Sequence, residues 1–464
     1  MNAPSSFAAN PFASKPRLPE ERSRAGNLFA AGGVLLPLLE AGQSITSAHL
    51  RAVLTTEFGG SDAEGFWSWK DAYEATEVAQ VLFLRKFGSA ISARTNTPEA
   101  ALSILARLAA LNPAHTRRSE ETQRLQQFST PVELAYVAAR AVSIMADDIL
   151  LEPSAGTGLM AIFGELARAR LVLNEYAPVR HSLLEHLFPE TSVTHHDAAH
   201  LDDYLDRVAR PTVVLMNPPF SAGVHVEGRM ADAAWRHLTS AFARLAPGGR
   251  LVAITGSSLS PDNPKWHDAF VRLQERGTVA FSAAIAGSVF ARHGTTMETR
   301  LTVIDKIAAA DPTKLVVSQG VAPNLTTLLS WISGLPPRSP STAANSIGAL
   351  SNSILRACAA KMAARKAAET LRPAAVAGMR TSPALSHRAS NRVSLPPAPT
   401  HDEIVELAYE LRDAPPSAAS TNPMSSGRSA FRTPGRILTS WSSPSPWRRL
   451  PRPSPAIGRT SPRT

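Results

Sequence analysis

The sequence predicts an α/β fold: a doubly wound, mostly parallel sheet preceded by a small helical region and followed by a disordered tail. Three observations lead there. Short apolar runs alternate with helical segments from about residue 149 to 307, the pattern of a sheet covered on both faces. One of these runs, Thr212-Val-Val-Leu-Met216, is almost wholly apolar, as a strand buried on both faces requires. It stops against Pro218 and Pro219, which cannot donate to a ladder and force a turn beside Asn217 and Phe220.

In chain order, residues 1–25 are rich in Pro, Ser and Asn and are expected to be disordered. Residues 26–118 read as a helical region. Thr46 and Ser47 begin a capped helix carrying Leu50 and Leu54, a second helix covers Ala72–Phe87, and Pro98 opens a third at its first position. The aromatic cluster Phe66, Trp67 and Trp69 fits a bundle core better than a base-stacking surface. An apolar helix follows Pro131 and runs to about Met145.

The sheet region spans 119–308. Strands are expected at Ile149–Glu152, Leu171–Glu175, Ser192–His196, Thr212–Met216, Arg250–Thr255, Thr278–Ala284 and Arg300–Ile307. Helices are expected at Leu159–Ala169, Val179–Leu187, Met230–Leu245 and Lys265–Arg276. No helical pattern separates the last two strands, so a hairpin there makes the final strand antiparallel. Residues 309–414 read as a partly helical linker, with a short strand at Leu315–Val317 and helices at Leu325–Leu335, Leu355–Leu371 and His401–Leu411.

The tail, 415–464, is Pro/Ser/Arg low complexity: a disordered basic segment, or sequence read after a frame change. It holds eight arginines, no lysine and no acid, so most of the net charge of +10 lies there. That charge is weak evidence for a nucleic-acid face on the folded part. The lone Cys358 excludes an internal disulfide and any Cys-based zinc site. No apolar run reaches the roughly 18 residues of a membrane span. A cytoplasmic protein is expected.

Chemistry is expected at the strand tips. Glu152-Pro153-Ser-Ala-Gly156-Thr-Gly158 lies between a strand and a helix, and its glycines allow close backbone approach to a ligand. It lacks the third glycine of a dinucleotide fingerprint, and an acid at the strand tip repels a pyrophosphate but suits an ammonium. Glu175 ends the second strand where ribose hydroxyls are commonly bound, and Asp197 ends the third, placed to accept from an adenine amine. Asn217 and the carbonyl of Pro218 can accept both N–H bonds of an amine whose lone pair would otherwise delocalise. Phe220 can stack on an extruded base. Ser221–Arg229 reads as a loop able to close over a target. His195, His196, His225, His237, His267 and His293 show no ligand spacing, and no metal is expected.

The succession FSTP (128–131), EPSAGTG (152–158), Glu175, Asp197 and NPPF (217–220) resembles the S-adenosylmethionine-dependent amino-methyltransferases, which mostly methylate adenine N6 in DNA. The resemblance covers roughly residues 120–307. It implies a seven-stranded Rossmann-like sheet with the last strand reversed, S-adenosylmethionine as cofactor and DNA as partner. Phe128, Thr130 and Pro131 match the segment touching the methionine end of the cofactor, and Glu152, Pro153, Gly156 and Gly158 match the cofactor loop. Glu175 matches the ribose acid, Asp197 the adenine acid, and Asn217, Pro218, Pro219 and Phe220 the catalytic turn.

More narrowly, the helical lead and the ending GTTMETRLTVIDK resemble the methylase-like part of bacterial strawberry-notch-type methylase/helicase proteins of mobile elements. No Walker motif is present, so no ATPase is expected. Two other readings remain: a non-catalytic nucleic-acid-binding module, and a protein-glutamine methyltransferase. No sizeable target-recognition domain follows Lys306, which leaves residues 27–112 as the ordered candidate for specificity.

Overall fold

The computed structural model describes residues 19–115, 128–206, 210–219 and 232–338. They all belong to one compact unit. The expectations for the tail, for the helices at 355–371 and 401–411 and for the loop at 221–229 lie outside the described residues.

The lead folds into four helices: α1 (Pro19–Glu40), α2 (Ser47–Phe58), α3 (Trp69–Arg94) and α4 (Pro98–Ala110). Their starts follow local chemistry. Thr46 caps α2 by accepting from the His49 N–H while the His49 ring accepts from the Thr46 N–H, and Thr97 caps α4 ahead of Pro98. Ser68 caps α3 in a box with Asp71, and Arg24 of α1 forks onto the same Asp71 carboxylate at 2.8 and 2.5 Å. Trp67 is buried in the helical core, while Phe66 is exposed.

The sheet has eight strands: β1 (Ile149–Glu152), β2 (Arg170–Asn174), β3 (Val193–Thr194), β4 (Val213–Met216), β5 (Arg250–Gly256), β6 (Thr278–Ile285), β7 (Thr299–Asp305) and β8 (Val321–Ala322). They lie in the order β3-β2-β1-β4-β5-β7-β6-β8. The first five pair in parallel. β7 runs antiparallel to both β5 and β6. The expected reversed strand is therefore present, and it is inserted between β5 and β6.

Two expectations change. The short strand falls at Val321–Ala322, parallel to β6, and not at Leu315–Val317. Leu315 and Val316 pack on the core without joining the ladder. The β6–β7 connection is no tight hairpin, because it holds a 3₁₀ helix, Gly287–His293, that buries Phe290.

Alternation along the strands divides the core. Val213 and Leu215 of β4 with Val252 and Ile254 of β5 face α5 (Val132–Val142). Val214, Met216, Leu251 and Ala253 face the opposite layer, which packs later helices. α11 (Leu325–Ile332), counted after the helices named below, joins the α5 face through Leu328, Leu329 and Ile332, so the core extends past residue 308. The helical lead shares one cluster with α6 (Ala161–Leu166) and α7 (Pro178–Leu187), in which Leu28, Val78 and Leu84 meet Ile162 and Leu183. Strands run to one side of β1 in sequence and to the other side of β4, so a crevice opens at their C-terminal ends. α8 (Leu201–Tyr204), α9 (Ala233–Arg244) and α10 (His267–Gln274) complete the helices among the described residues.

Candidate active site

Four polar residues reach this crevice because each stands at or just after the end of a parallel strand: Glu152 on β1, Glu175 after β2, Asp197 after β3 and Asn217 after β4. Asn174, fully buried at the end of β2, fixes their spacing. Its Nδ2 donates to the carbonyls of Pro153 and His196, both at 2.9 Å. Its Oδ1 accepts from the His196 N–H and the Thr194 hydroxyl, also at 2.9 Å. One side chain thereby ties the loops after β1 and β3.

The glycine loop turns onto α6 through Gly156 (φ +57°) and Gly158 (φ +85°). The two have different reasons. A Cβ at Gly158 would stand 2.5 Å from Cε2 of Phe188, against the core side of the loop, whereas at Gly156 the nearest atom is Nη1 of Arg180 at 4.0 Å. Gly158→Ala is therefore expected to lose about 2–3 kcal/mol of stability from strain and overpacking together. Gly156→Ala should lose about 1 kcal/mol, from the left-handed backbone alone. Urea unfolding of the two variants side by side checks the order.

Glu175 closes the loop, accepting from the Gly156 N–H through Oε2 and from the Ala177 N–H through Oε1, each at 2.8 Å. Glu152 is buried, and its Oε2 has no hydrogen-bond partner among the described residues. Burial first, and the Glu175 charge second, push its carboxyl well above the usual carboxylate range, against the pull of the Ala161 N–H. Asp197 caps the 3₁₀ turn Ala198–His200 through the Ala199 N–H at 2.9 Å and approaches Nε2 of His237 at 4.0 Å. Burial holds His237 down to about 4, with Asp197 opposing, so the ring is neutral at physiological pH.

Asn217 is held in one orientation. Its Nδ2 donates to the Phe128 carbonyl at 3.2 Å and to the Thr130 hydroxyl at 2.9 Å. A carbonyl can only accept, so the amide nitrogen faces it. That leaves Oδ1 buried with no partner among the described residues. A buried acceptor without a donor costs about 1–3 kcal/mol, which a donor entering the crevice would recover.

The crevice is a cavity of about 330 Å³. Of the residues expected from sequence, Phe128, Thr130, Glu152, Gly156, Glu175, Asp197, Asn217 and Pro219 line it. Pro131, Pro153, Gly158 and Pro218 do not: Pro131 stands at the start of α5, Pro153 contributes its carbonyl to Asn174, and Pro218 is buried. Phe220 lies outside the described residues.

The structure adds residues that sequence reasoning passed over. Tyr176, Arg180, Thr157 and His237 also line the wall. Arg180 Nε donates to Glu74 Oε1, and Thr157 Oγ1 to Glu77 Oε2, both at 2.6 Å. The helical lead thus meets the glycine loop through Glu77 and α7 through Glu74, both buried acids of α3.

No family model matches the chain, and no curated protein does. Solved structures do match. One is described as a class I S-adenosylmethionine-dependent methyltransferase from Listeria monocytogenes, with 13% identity over 68% of this chain and 99% of that one, at a TM-score of 0.38. Another is TrmN from Thermus thermophilus, with 18% identity over 40% of this chain and 52% of that one, at 0.30. A third is described as a modification subunit of a type I restriction enzyme from Vibrio vulnificus, with 16% identity over 46% of this chain and 51% of that one, at 0.32. The chain spans about half the length of the latter two.

Proposed function

We propose that this protein is an S-adenosylmethionine-dependent methyltransferase acting on an exocyclic amine, with adenine N6 in DNA as the favoured acceptor. The observation that carries the reading is the Asn217 amide: anchored on its nitrogen side, with a buried unsatisfied oxygen on the wall of a cavity shared with Glu152, Glu175 and Asp197. The preference for adenine in DNA rests on the resemblance of the FSTP–EPSAGTG–NPPF succession described above.

The residues fit the cofactor by their chemistry. Glu152 offers a buried carboxyl oxygen in want of a donor, as an amino-acid ammonium would supply. Gly156 leaves open space where a side chain would stand, Glu175 presents a carboxylate for ribose hydroxyls, and Asp197 one for an adenine amine. When bound, S-adenosylmethionine supplies a methyl group already activated by its sulfonium. Asn217 accepts an N–H of the incoming amine through Oδ1, which favours a pyramidal nitrogen with its lone pair free. The remaining work of the site is positioning.

Incubation with tritiated S-adenosylmethionine and, separately, DNA, RNA and whole-cell protein tests the reading. Label in DNA, recovered as N6-methyladenine, is expected. Label confined to protein would overturn the nucleic-acid assignment, and no label together with no calorimetric uptake of the donor would overturn the enzyme class.

A pH dependence follows from Glu152. In the free protein its carboxyl pKa is raised, so it holds a proton well above the usual carboxylate range. A bound ammonium favours the ionised form, so binding below the raised pKa must release that proton. Donor affinity therefore climbs with pH below the raised free-protein pKa, by at most tenfold per unit for one proton, and levels off above it. Calorimetry across that range should show the climb in the wild type and a flat profile in Glu152→Gln.

A further inference from the structure

Next to the glycine loop, three potential ligands from three separate elements come together. Glu77 lies on α3, His115 follows α4, and His293 ends the 3₁₀ helix between β6 and β7. One ligand atom from each lies within 4.8 Å of the other two. From these residues we infer a binding site for a first-row divalent transition metal, with zinc as the ion whose coordination preferences it meets.

Two observations besides proximity point to a ligand. Glu77 is 1% exposed, and its Oε1 lacks a well-formed hydrogen bond among the described residues, although the Ser129 side chain lies close enough to act on the carboxyl. Nδ1 of His293 is likewise buried without one. A buried polar atom that nothing meets carries its full desolvation penalty. Two imidazoles and one carboxylate form a set that binds zinc with one position left for water or another ligand. Ligands of one tetrahedral zinc lie roughly 3.3 Å apart, so each of these side chains would have to move inward by about 1 Å.

The surroundings hold the imidazoles in place. The His115 N–H donates to the Arg292 carbonyl at 2.7 Å, and Arg292 Nη2 donates to the Asn112 carbonyl at 2.5 Å. The His115 ring stacks on Tyr73 with centroids 4.2 Å apart, and the His293 ring follows at 4.9 Å. An imidazole at neutral pH keeps a free lone pair for a metal. The cations nearby count against metal affinity: Arg180 and Arg292 both act on His115. Arg180 is already engaged by Glu74, which also holds Lys70 at 3.3 Å.

A metal here joins the helical lead to the β6–β7 connection. Through the Glu77 hydrogen bond to Thr157, itself a residue of the cavity wall, it also bears on the glycine loop. The site does not depend on the methyltransferase reading, and its test does not use methyl transfer.

The full-length protein, stripped with a chelator, is titrated with zinc against a colorimetric competitor, and with cobalt under visible spectroscopy. One equivalent of zinc should bind and raise the thermal midpoint. His115→Ala and His293→Ala should each weaken binding at least 100-fold, while Cys358→Ser leaves it unchanged. Absence of stoichiometric zinc uptake would overturn the inference, as would uptake that survives both histidine substitutions. If either variant fails to fold, X-ray absorption on the zinc-loaded wild type decides: nitrogen and oxygen neighbours with imidazole scattering support the site, and a sulfur neighbour overturns it.

Discussion

Asn217→Ala should slow methyl transfer to the acceptor amine by about 10²- to 10³-fold, the range found when one preorganised polar group is removed from a reacting centre. Donor affinity should fall far less, because the two acids assigned to the donor's ribose and adenine are anchored independently of this side chain. Glu175 is held by the Gly156 and Ala177 N–H groups, and Asp197 by the Ala199 N–H. The substitution removes the Oδ1 acceptor and also frees the Phe128 carbonyl and Thr130 hydroxyl from their shared donor. Asn217→Asp is the more searching variant. It keeps an oxygen toward the cavity but sets a second one against the Phe128 carbonyl, where neither atom can donate. Activity in Asn217→Asp should therefore fall as well, in spite of its near-identical shape. Single-turnover transfer rates, measured beside donor calorimetry, separate a lost acceptor contact from a lost cofactor site. Full activity in either variant would remove Asn217 from the reaction.

The strand tips were legible because burial and periodicity are local. Val213–Met216 is apolar at every position, and the structure buries all four residues. β3 contracts to Val193–Thr194 because it is the sheet's outer edge, where one neighbour supplies all the pairing. β8 escaped notice because two residues carry no period, and Val321 is half exposed. Leu315–Val317 misled for the converse reason: an apolar triplet can pack without pairing, and Val317 is 79% exposed.

At the site, the acids could be read from their places after strands, but their environments could not. Arg180 meets Glu74 across 106 positions, and Thr157 meets Glu77 across 80, separations at which no spacing rule operates. The same applies to Glu77, His115 and His293, whose sequence intervals match no metal motif even though folding brings them together. Asn174 carries the clearest signal that local reading overlooks, a polar residue at the buried end of a strand immediately before Glu175.

The second large effect is expected far from the cavity, at the opposite ends of the strands. Arg338 and Asp148 form an ion pair at 2.5 Å with side chains only 1% and 2% exposed. Asp148 precedes β1, and its carboxylate also accepts from the Met145 N–H at 2.7 Å and the Thr212 hydroxyl at 2.6 Å. Thr212 in turn accepts from the Ile149 N–H, so this cluster joins the starts of β1 and β4. Nearby, Arg250 forks onto Asp305 at 2.6 and 2.9 Å and donates to the Pro336 carbonyl at 3.0 Å, which brings the chain after α11 under the same strand ends. Arg338→Ala leaves the Asp148 carboxylate buried with two neutral donors and no countercharge. The expected loss is about 3–5 kcal/mol, or a thermal midpoint lower by roughly 10 °C. Asp148→Asn in the same background should recover part of it, since the uncompensated charge is then gone while Thr212 can still donate to the amide oxygen. Recovery marks the penalty as electrostatic, whereas an equal or greater loss in the double variant marks it as packing. Chemical denaturation of the wild type, both single variants and the pair closes that cycle. A loss below about 1 kcal/mol for Arg338→Ala, the range of exposed pairs, would mean that water reaches Asp148 and that residues 336–338 are not part of the folded unit.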